Sequence, residues 1–164
     1  MSKEPNKEAL YQVHKELYNK NSEYTALFDS IIKEHTITKP KRGICVDGGT
    51  EGNPGPCFYR AVDIETNKVL FKKHLGEGTN NIAEFLAIVH AIHYCEKHNL
   101  EVNIWSDSIT AITWIKNKKV NTSIKGPIID RLNKACEYIK NKDILINKWK
   151  TKHWGEIPAD FGRK

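Results

Sequence analysis

Residues 43–55 read GICVDGGTEGNPG, and this stretch decides the fold. It opens with a short apolar run of the kind that forms a central β-strand. The remainder is rich in glycine, asparagine and proline, which favour tight connections between strands. Asp47 stands where the apolar run ends. The pattern therefore predicts a buried strand with a carboxylate at its end, followed by a hairpin-like connection.

The residues after this stretch alternate between strand and helix patterns. Strands are predicted over 58–64 and 69–75, and then a helix over 80–97. The apolar face of this helix is predicted to contain Ile82, Phe85, Leu86, Val89 and His93. The later predicted elements are a strand over 102–105, a helix over 108–117 capped by Ser108, a helix opened by Gly126-Pro127, a strand at Ile144, Ile146 and Lys148-Trp149, and a short helix from about Pro158. This order predicts an α/β fold with a five-stranded mixed sheet and helices on both faces.

Residues 1–40 differ from the rest of the chain. Apolar residues recur at helical spacing over 6–20 and again over 22–35, which predicts a helical hairpin. Residues 38–42 (TKPKR) are typical of a linker, because proline cannot continue a helix. We therefore predict a short helical N-terminal extension, 1–40, and one main domain, 41–164.

The charge distribution favours a polyanionic partner for the main domain. The chain has 26 basic and 20 acidic residues, a formal net charge of +6. Residues 1–40 contain six of each sign, so the whole excess lies in 41–164. Such a surface attracts polyanions and releases their counterions. A merely soluble basic protein would also carry this charge, so charge alone does not name the partner.

The sequence also bears on location. The N-terminal residues are polar, no apolar run reaches the length that a membrane span requires, and no membrane partner is expected. Four cysteines, Cys45, Cys57, Cys95 and Cys136, form no CxxC pair and are interpreted as reduced structural thiols. We expect a cytoplasmic protein, and a monomer.

Four carboxylates are the candidate site. Asp47 and Asp107 follow predicted strands, Glu84 lies on the helix over 80–97, and Asp160 belongs to the last predicted helix. Acids gathered from separate elements can hold divalent cations, because Mg²⁺ prefers oxygen ligands. One such acid alone would be interpreted as a solvated surface group. In a basic chain, the four together indicate metal-dependent attack on nucleic acid.

The segment 43–164 resembles the type 1 ribonuclease H family. The motifs that carry the resemblance are DGGTEGNPG (47–55), TNNIAEF (79–85), SDS (106–108) and GEIPADFGRK (155–164). The last is most similar to bacterial members without an inserted basic handle, and residues 117–126 are too few to contain one. The resemblance implies the ribonuclease H fold and hydrolysis of the RNA strand of RNA–DNA hybrids. It also implies 5′-phosphate and 3′-hydroxyl ends and two Mg²⁺ ions, with Mn²⁺ as a substitute.

The resemblance further implies a role for each acid. The catalytic metal ligands would be Asp47, Glu84, Asp107 and Asp160. Glu156 would help metal exchange or product release, and it would share a helix face with Asp160 if the turn between them is helical. Other members carry a histidine ten positions before the last aspartate, but residue 150 is lysine here. His153 is interpreted as its counterpart or as a partly exposed structural histidine.

Substrate contacts are implied in the same way. Contacts to the RNA strand are expected from Gly49, Asn53, Thr79, Asn80 and Asn81. Contacts to the DNA strand are expected from Thr110, Trp114, Thr122 and Ser123. Thr79 and Asn81 are expected to bind one DNA phosphate together with Thr122 and Ser123. Simpler interpretations stay open for several of them. The glycine-rich loop could be an ordinary hairpin turn, residues 79–81 could cap a helix, and Trp114 could be a core residue.

Two other functions stay open. One is another nuclease of the same superfamily, of the resolvase or transposase type, which would lack the TNN and GNPG motifs. The other is a non-catalytic hybrid-binding module, which would usually lack one of the four acids. Residues 1–40 do not resemble the basic hybrid-binding domain of many family members, so affinity for a hybrid is expected to come mainly from residues 41–164.

Overall fold

The computed structural model describes residues 38–161. The chain divides into two units between Thr38 and Lys39, so nearly all of the described residues belong to the second unit. The helical hairpin predicted within 1–40 lies outside the described residues, and so do residues 162–164. The predicted domain boundary, between residues 40 and 41, stays a prediction.

Strands and helices follow one another in the predicted order. The strands are β1 (Ile44–Thr50), β2 (Gly55–Asp63), β3 (Val69–Gly78), β4 (Ile104–Ser106) and β5 (Asn147–Lys148). The helices are α1 (Asn80–Lys97), α2 (Ile109–Asn117), α3 (Ile128–Ile139) and α4 (Thr151–Trp154). The helix predicted over 80–97 has the predicted bounds, because Thr79 caps it and its apolar residues keep the helical period.

The strands form one mixed sheet in the order β3-β2-β1-β4-β5. β1 is antiparallel to β2 and parallel to β4, and β4 is parallel to β5. The predicted five-stranded mixed sheet is therefore confirmed. β1 is longer than expected, since its pairing with β2 continues as far as Thr50 opposite Cys57. The connection after β1 is reduced to residues 51–54.

Each face of the sheet has its own core. Ile44 and Val46 of β1 pack with buried residues of α1, α2 and α3. Cys45 points to the opposite face, because side chains alternate along a strand. There it packs with Val62 and with Trp149, Ile157 and Ala159 of the C-terminal segment, defined as residues 149–161. Helices thus flank both faces, and among residues 38–161 the helix on the second face is the four-residue α4.

Four local predictions were wrong. The strand predicted at Ile144, Ile146 and Lys148-Trp149 is reduced to Asn147–Lys148. His93 is exposed, because the buried stripe of α1 continues through Ile92 and Cys95 instead. β4 begins at Ile104, and Val102 is 42% exposed. No helix begins at Pro158. Within residues 38–161 the last helix is α4, which ends at Trp154 and is followed by Gly155 with a φ of +79°. Pro158 lies in a turn closed by a hydrogen bond from the Asp160 backbone N–H to the Ile157 carbonyl, 2.8 Å.

All four cysteines are free thiols, and Cys45, Cys57 and Cys95 are buried. Burial raises the pKa of Cys45 to about 12 and that of Cys57 to about 11. A thiol with so high a pKa is a poor nucleophile and a poor metal ligand near neutral pH. Between residues 38 and 161, no helix combines the length and apolar character that crossing a bilayer requires.

Candidate metal centre

Three of the predicted acids converge in space. Asp47, Glu84 and Asp107 each offer a carboxylate oxygen, and these oxygens lie within 4.8 Å of one another. Asp47 and Glu84 are only 5% and 2% exposed, and Asp107 is partly buried. We call these three residues the acid cluster. Carboxylates this close together repel one another unless a cation or a proton lies among them.

Strand register brings two of the acids together. β1 and β4 are parallel neighbours in which Cys45 lies opposite Trp105. Asp47 and Asp107 each come two residues later, so they reach matching positions at the same edge of the sheet. The sequence feature behind this arrangement is a short apolar run soon followed by an acid, and it occurs twice, although β1 continues beyond Asp47 to Thr50.

Gly48 determines how deeply Glu84 enters the site. Its backbone N–H donates a hydrogen bond to Oε1 of Glu84. A Cβ atom on Gly48 would lie 2.7 Å from the backbone carbonyl carbon of Ala83 and 2.7 Å from the backbone nitrogen of Glu84. Only glycine therefore lets α1 approach β1 this closely. The first glycine after Asp47 therefore serves helix packing, because it lies within β1 and outside the connection that follows.

The electrostatics of the cluster favour a cation. Burial raises the pKa of Glu84, and the carboxylates of Asp47 and then Asp107 raise it further. Asp47 and Glu84 can share a hydrogen bond only while one of them is protonated. The buried Oε2 of Glu84 otherwise has no hydrogen-bond partner among the described residues. A divalent cation would lower this pKa and satisfy that oxygen, so the residues present fit Mg²⁺ or a similar hard ion.

Glu84→Gln is expected to raise the thermal unfolding temperature of the metal-free protein at pH 8. The folded pKa of Glu84 lies above its ordinary value of 4.5, so the wild type loses stability as pH rises above that value, because the unfolded chain releases the proton first. Glutamine still accepts from Gly48 and does not ionise. Circular dichroism in EDTA between pH 4 and pH 9 measures this difference.

The matched control for that experiment is Glu101→Gln, which changes an exposed acid outside the acid cluster. This variant should follow the wild type at every pH. A difference between Glu84→Gln and wild type that does not grow between pH 5 and pH 8 would contradict the assigned electrostatics.

Asp160 is not one of the three acids whose oxygens meet. It is partly buried in the C-terminal segment, directly after the fully buried Ala159. Its backbone carbonyl accepts a hydrogen bond of 2.5 Å from Nη2 of Arg60, and Arg60 lies opposite Asp47 in the pairing of β1 with β2. The backbone of Asp160 is thus bound to the strand beside Asp47, and its role as a metal ligand stays a prediction.

Glu156 and His153, the other two residues of this region with a predicted role, are both exposed. Glu156 and Asp160 would share a face only on a helix, but residues 155–160 are not helical, so that premise was wrong. His153 lies on α4 with its side chain exposed. Neither residue belongs to the acid cluster, and their predicted roles stay untested.

The predicted RNA contacts surround the beginning of α1. Oγ1 of Thr79 accepts from the Ile82 backbone N–H at 3.2 Å, and Oδ1 of Asn53 accepts from the Asn80 backbone N–H at 3.1 Å. Helix capping, the simpler interpretation, is therefore observed. The side chains of Asn53, Asn80 and Asn81 are nevertheless exposed, whereas Gly49 is buried at the end of β1.

The predicted DNA contacts lie on α2 and in the loop after it. Trp114 is 8% exposed and packs edge-on against Phe85, with ring centroids 6.0 Å apart. Most of the Trp114 side chain therefore belongs to the core. Thr110 and Ser123 are exposed, and Thr122 is partly buried. Contact of these residues with DNA stays a prediction.

Sequence reasoning missed the packing role of Gly48 and did not single out Arg60. The signal for Arg60 was a lone cation inside the apolar stretch CFYRAV (57–62). A charged residue in such a strand needs a partner, because burying a charge without one is costly.

The fold and site together define an α/β protein with a candidate divalent-metal centre where the central strand β1 and its parallel neighbour β4 present acids. The family model of RNase H matches residues 39–159, well over half of the chain. The chain belongs to the ribonuclease H family.

Individual relatives match parts of this region. Ribonuclease H of Neorickettsia sennetsu is 37% identical over 90 residues, which cover 49% of this chain and 60% of that protein. The match thus spans less than two thirds of that relative's length. Among solved structures, LC11 RNase H1, in complex with an RNA/DNA hybrid, is 27% identical, with a TM-score of 0.41 and coverage of 59% of this chain and 74% of that chain. LC11 RNase H1 was isolated from compost.

A second solved structure is the N-terminal RNase H domain of a Mycobacterium tuberculosis protein, fused to maltose-binding protein. It is 25% identical, with a TM-score of 0.45 and coverage of 66% of this chain and 81% of that chain. Both TM-scores are low, so family membership rests on the family match over residues 39–159.

Proposed function

We propose that this protein is an endoribonuclease that hydrolyses the RNA strand of RNA–DNA hybrids, leaving 5′-phosphate and 3′-hydroxyl ends. The observation that carries the proposal is the acid cluster, in which Asp47, Glu84 and Asp107 meet within 4.8 Å in a chain of the ribonuclease H family. The basic excess within 41–164 supports a polyanionic substrate.

The proposed cofactors are two Mg²⁺ ions, which Mn²⁺ can replace. Their proposed ligands are Asp47, Glu84, Asp107 and Asp160. When bound, such ions activate a water molecule and neutralise the charge that develops on the leaving 3′ oxygen. Asp47, in the middle of the central strand β1, is proposed to contact both ions. Exposed Glu156 is proposed to assist metal exchange or product release.

The protein's own contribution is a preorganised and largely buried arrangement of acids. Asp47 and Glu84 are almost fully buried, so their charges act at a lower effective dielectric constant than exposed carboxylates do. The Gly48 backbone N–H holds one oxygen of Glu84. This preorganisation means that little rearrangement of the chain is needed when the scissile phosphate binds.

Recognition of the RNA strand is proposed for the surface at the beginning of α1. Asn80 and Asn81 are exposed there, one turn before Glu84. Asn53 and Thr79 accept hydrogen bonds from two N–H groups of this helix start, and the positive end of the helix dipole favours phosphate. We propose that the side chains of Asn80 and Asn81, with Asn53, Gly49 and Thr79, contact the minor groove of the hybrid, where the 2′-hydroxyl groups of RNA are displayed.

Contact with the DNA strand is proposed for α2 and the loop after it. α2 begins two residues after Asp107, which places the exposed Thr110 within one turn of the acid cluster. Thr122 and Ser123 follow α2, and the small exposed part of Trp114 could pack against a deoxyribose. Because these groups would address sugar and phosphate, no base sequence preference is expected. A monomer in the cytoplasm is the proposed state, consistent with four free thiols.

The experiment that tests this function uses labelled RNA–DNA hybrid, duplex RNA and duplex DNA. With Mg²⁺, cleavage should be confined to the RNA strand of the hybrid, and EDTA should stop it. The products should be extended by a DNA polymerase, because a 3′-hydroxyl end is a primer. Equal cleavage of all three duplexes, or cleavage that survives EDTA, would contradict the proposal.

A further inference from the structure

One side chain, Arg60, binds the C-terminal segment to the sheet. Its Nε donates a hydrogen bond of 2.7 Å to the Ala159 carbonyl, and its Nη2 donates one of 2.5 Å to the Asp160 carbonyl. The two donors lie on one edge of a planar guanidinium group, so both bonds restrain the same short piece of backbone. The guanidinium carbon also lies 4.8 Å from the centre of the Phe161 ring.

Strand register places Arg60 beside the acid cluster. Arg60 lies directly opposite Asp47 in the pairing of β1 with β2, so both side chains leave the same face of the sheet. Two residues earlier on β2, Phe58 packs edge-on against Phe161, with ring centroids 4.8 Å apart. β2 therefore contacts the residue before Asp160, which is Ala159, and the residue after it, which is Phe161.

Asp160 is carried by neither a helix nor a strand. α4 ends at Trp154, and the turn that follows returns the chain to the sheet. Ile157 and Ala159 anchor this turn in the core on the second face. From Ala159 onward the backbone is held by the bond from the Asp160 N–H to the Ile157 carbonyl and by the two bonds that Arg60 donates.

We propose that Arg60 is a positioning residue for Asp160. By holding the carbonyls of Ala159 and Asp160, it fixes where the Asp160 carboxylate stands relative to the acid cluster. This inference rests on the proposed function, because it places Asp160 in the same metal centre. In this role Arg60 touches neither metal nor substrate, so its loss should weaken metal binding and leave hybrid binding unchanged.

Arg60→Gln tests the proposal, with Arg60→Lys beside it and Arg42→Gln as the matched control. Glutamine is too short to reach both carbonyls, and lysine keeps the charge without the two-donor edge. Arg42 is an exposed arginine whose Nε pairs with Glu65 at 3.2 Å. For Arg60→Gln, the Mg²⁺ concentration that gives half-maximal cleavage should rise about tenfold, from the loss of two charge-assisted hydrogen bonds. The KM for hybrid should stay within about twofold, because the substrate surface is untouched.

Two readouts do not depend on activity. Hydrogen exchange of the peptide covering 155–161 should be faster in Arg60→Gln than in wild type, and Mg²⁺ should protect it less. Calorimetric titration should show that Arg60→Gln binds Mg²⁺ more weakly than wild type does. In an Asp160→Asn background, Arg60→Gln should cause no further loss of Mg²⁺ affinity, because the two residues act through one position. Arg60→Lys should lie between wild type and Arg60→Gln, and Arg42→Gln should match wild type in every assay.

The outcomes separate this proposal from the proposed function. If Asp160→Asn abolishes cleavage while Arg60→Gln leaves metal dependence and exchange unchanged, the role of Arg60 is wrong and the function stands. The role of Arg60 is also wrong if Arg60→Gln lowers Mg²⁺ affinity as much in the Asp160→Asn background as it does in the wild type. If Asp160→Asn cleaves like wild type, Asp160 is not a ligand and the positioning role fails with it.

Discussion

Asp107→Asn is expected to lower hybrid cleavage by about a thousandfold or more, a loss typical of removing one charged contact to a transition state. Asp107 contributes an oxygen to a cluster whose members meet within 4.8 Å. The amide keeps the size of the side chain and removes the negative charge that would hold a cation. Because Asp107 is only partly buried, the fold should tolerate the exchange.

Two measurements make this prediction specific. Binding of hybrid, measured by fluorescence anisotropy with Ca²⁺, should change by less than about twofold, because the substrate surface lies outside the cluster. Asp143→Asn, which removes an exposed acid outside the acid cluster, should cleave like wild type. Turnover by Asp107→Asn at more than a tenth of the wild-type rate would refute the role of this residue.

Gly48→Ala should both destabilise the protein and inactivate it. The added Cβ would lie 2.7 Å from backbone atoms of Ala83 and Glu84, and backbone cannot rotate aside as a side chain can. Overpacking of this kind costs about 1–3 kcal/mol, which corresponds to an unfolding temperature lower by about 4–10 °C. Displacing Glu84 by even ~1 Å should also lower cleavage about a hundredfold.

Gly49→Ala is the matched control for this stability effect. Its Cβ would lie 3.2 Å from ring atoms of Phe58, and a ring can shift by the few tenths of an ångström required. We expect a smaller fall in unfolding temperature for Gly49→Ala than for Gly48→Ala. If the two variants unfold at the same temperature and Gly48→Ala keeps full cleavage, close approach of α1 to β1 is not required.

The acids that follow short apolar runs could be predicted from the sequence because their signals are local. The apolar run before Asp47 indicates a central strand, and the period of apolar residues over 80–97 gives the bounds of α1. The four acids were expected to form one metal site, and the parallel pairing of β1 with β4 brings Asp47 and Asp107 together. The depth at which Glu84 enters had no local signal, because it depends on a tertiary contact between Gly48 and α1.

The C-terminal segment was predicted poorly for a physical reason. The motif GEIPADFG suggested a helix, but Gly155 adopts a positive φ of 79° and the chain turns at residues 157–160. One of the hydrogen bonds to the Asp160 backbone comes from Arg60, a hundred residues away in sequence. Contacts across such a separation leave no periodic pattern, and only the lone cation in β2 hinted at one.

The central claim is that the acid cluster and Asp160 hold cations against a phosphate of the RNA strand. A crystal structure of the wild-type protein with RNA–DNA hybrid and Ca²⁺, which supports binding more readily than turnover, tests it most directly. We predict cation density in contact with Asp47 and with one RNA phosphate, and Asp160 within coordination distance of a cation. A hybrid bound with its DNA strand at the acid cluster, or without a cation at Asp47, would contradict the account.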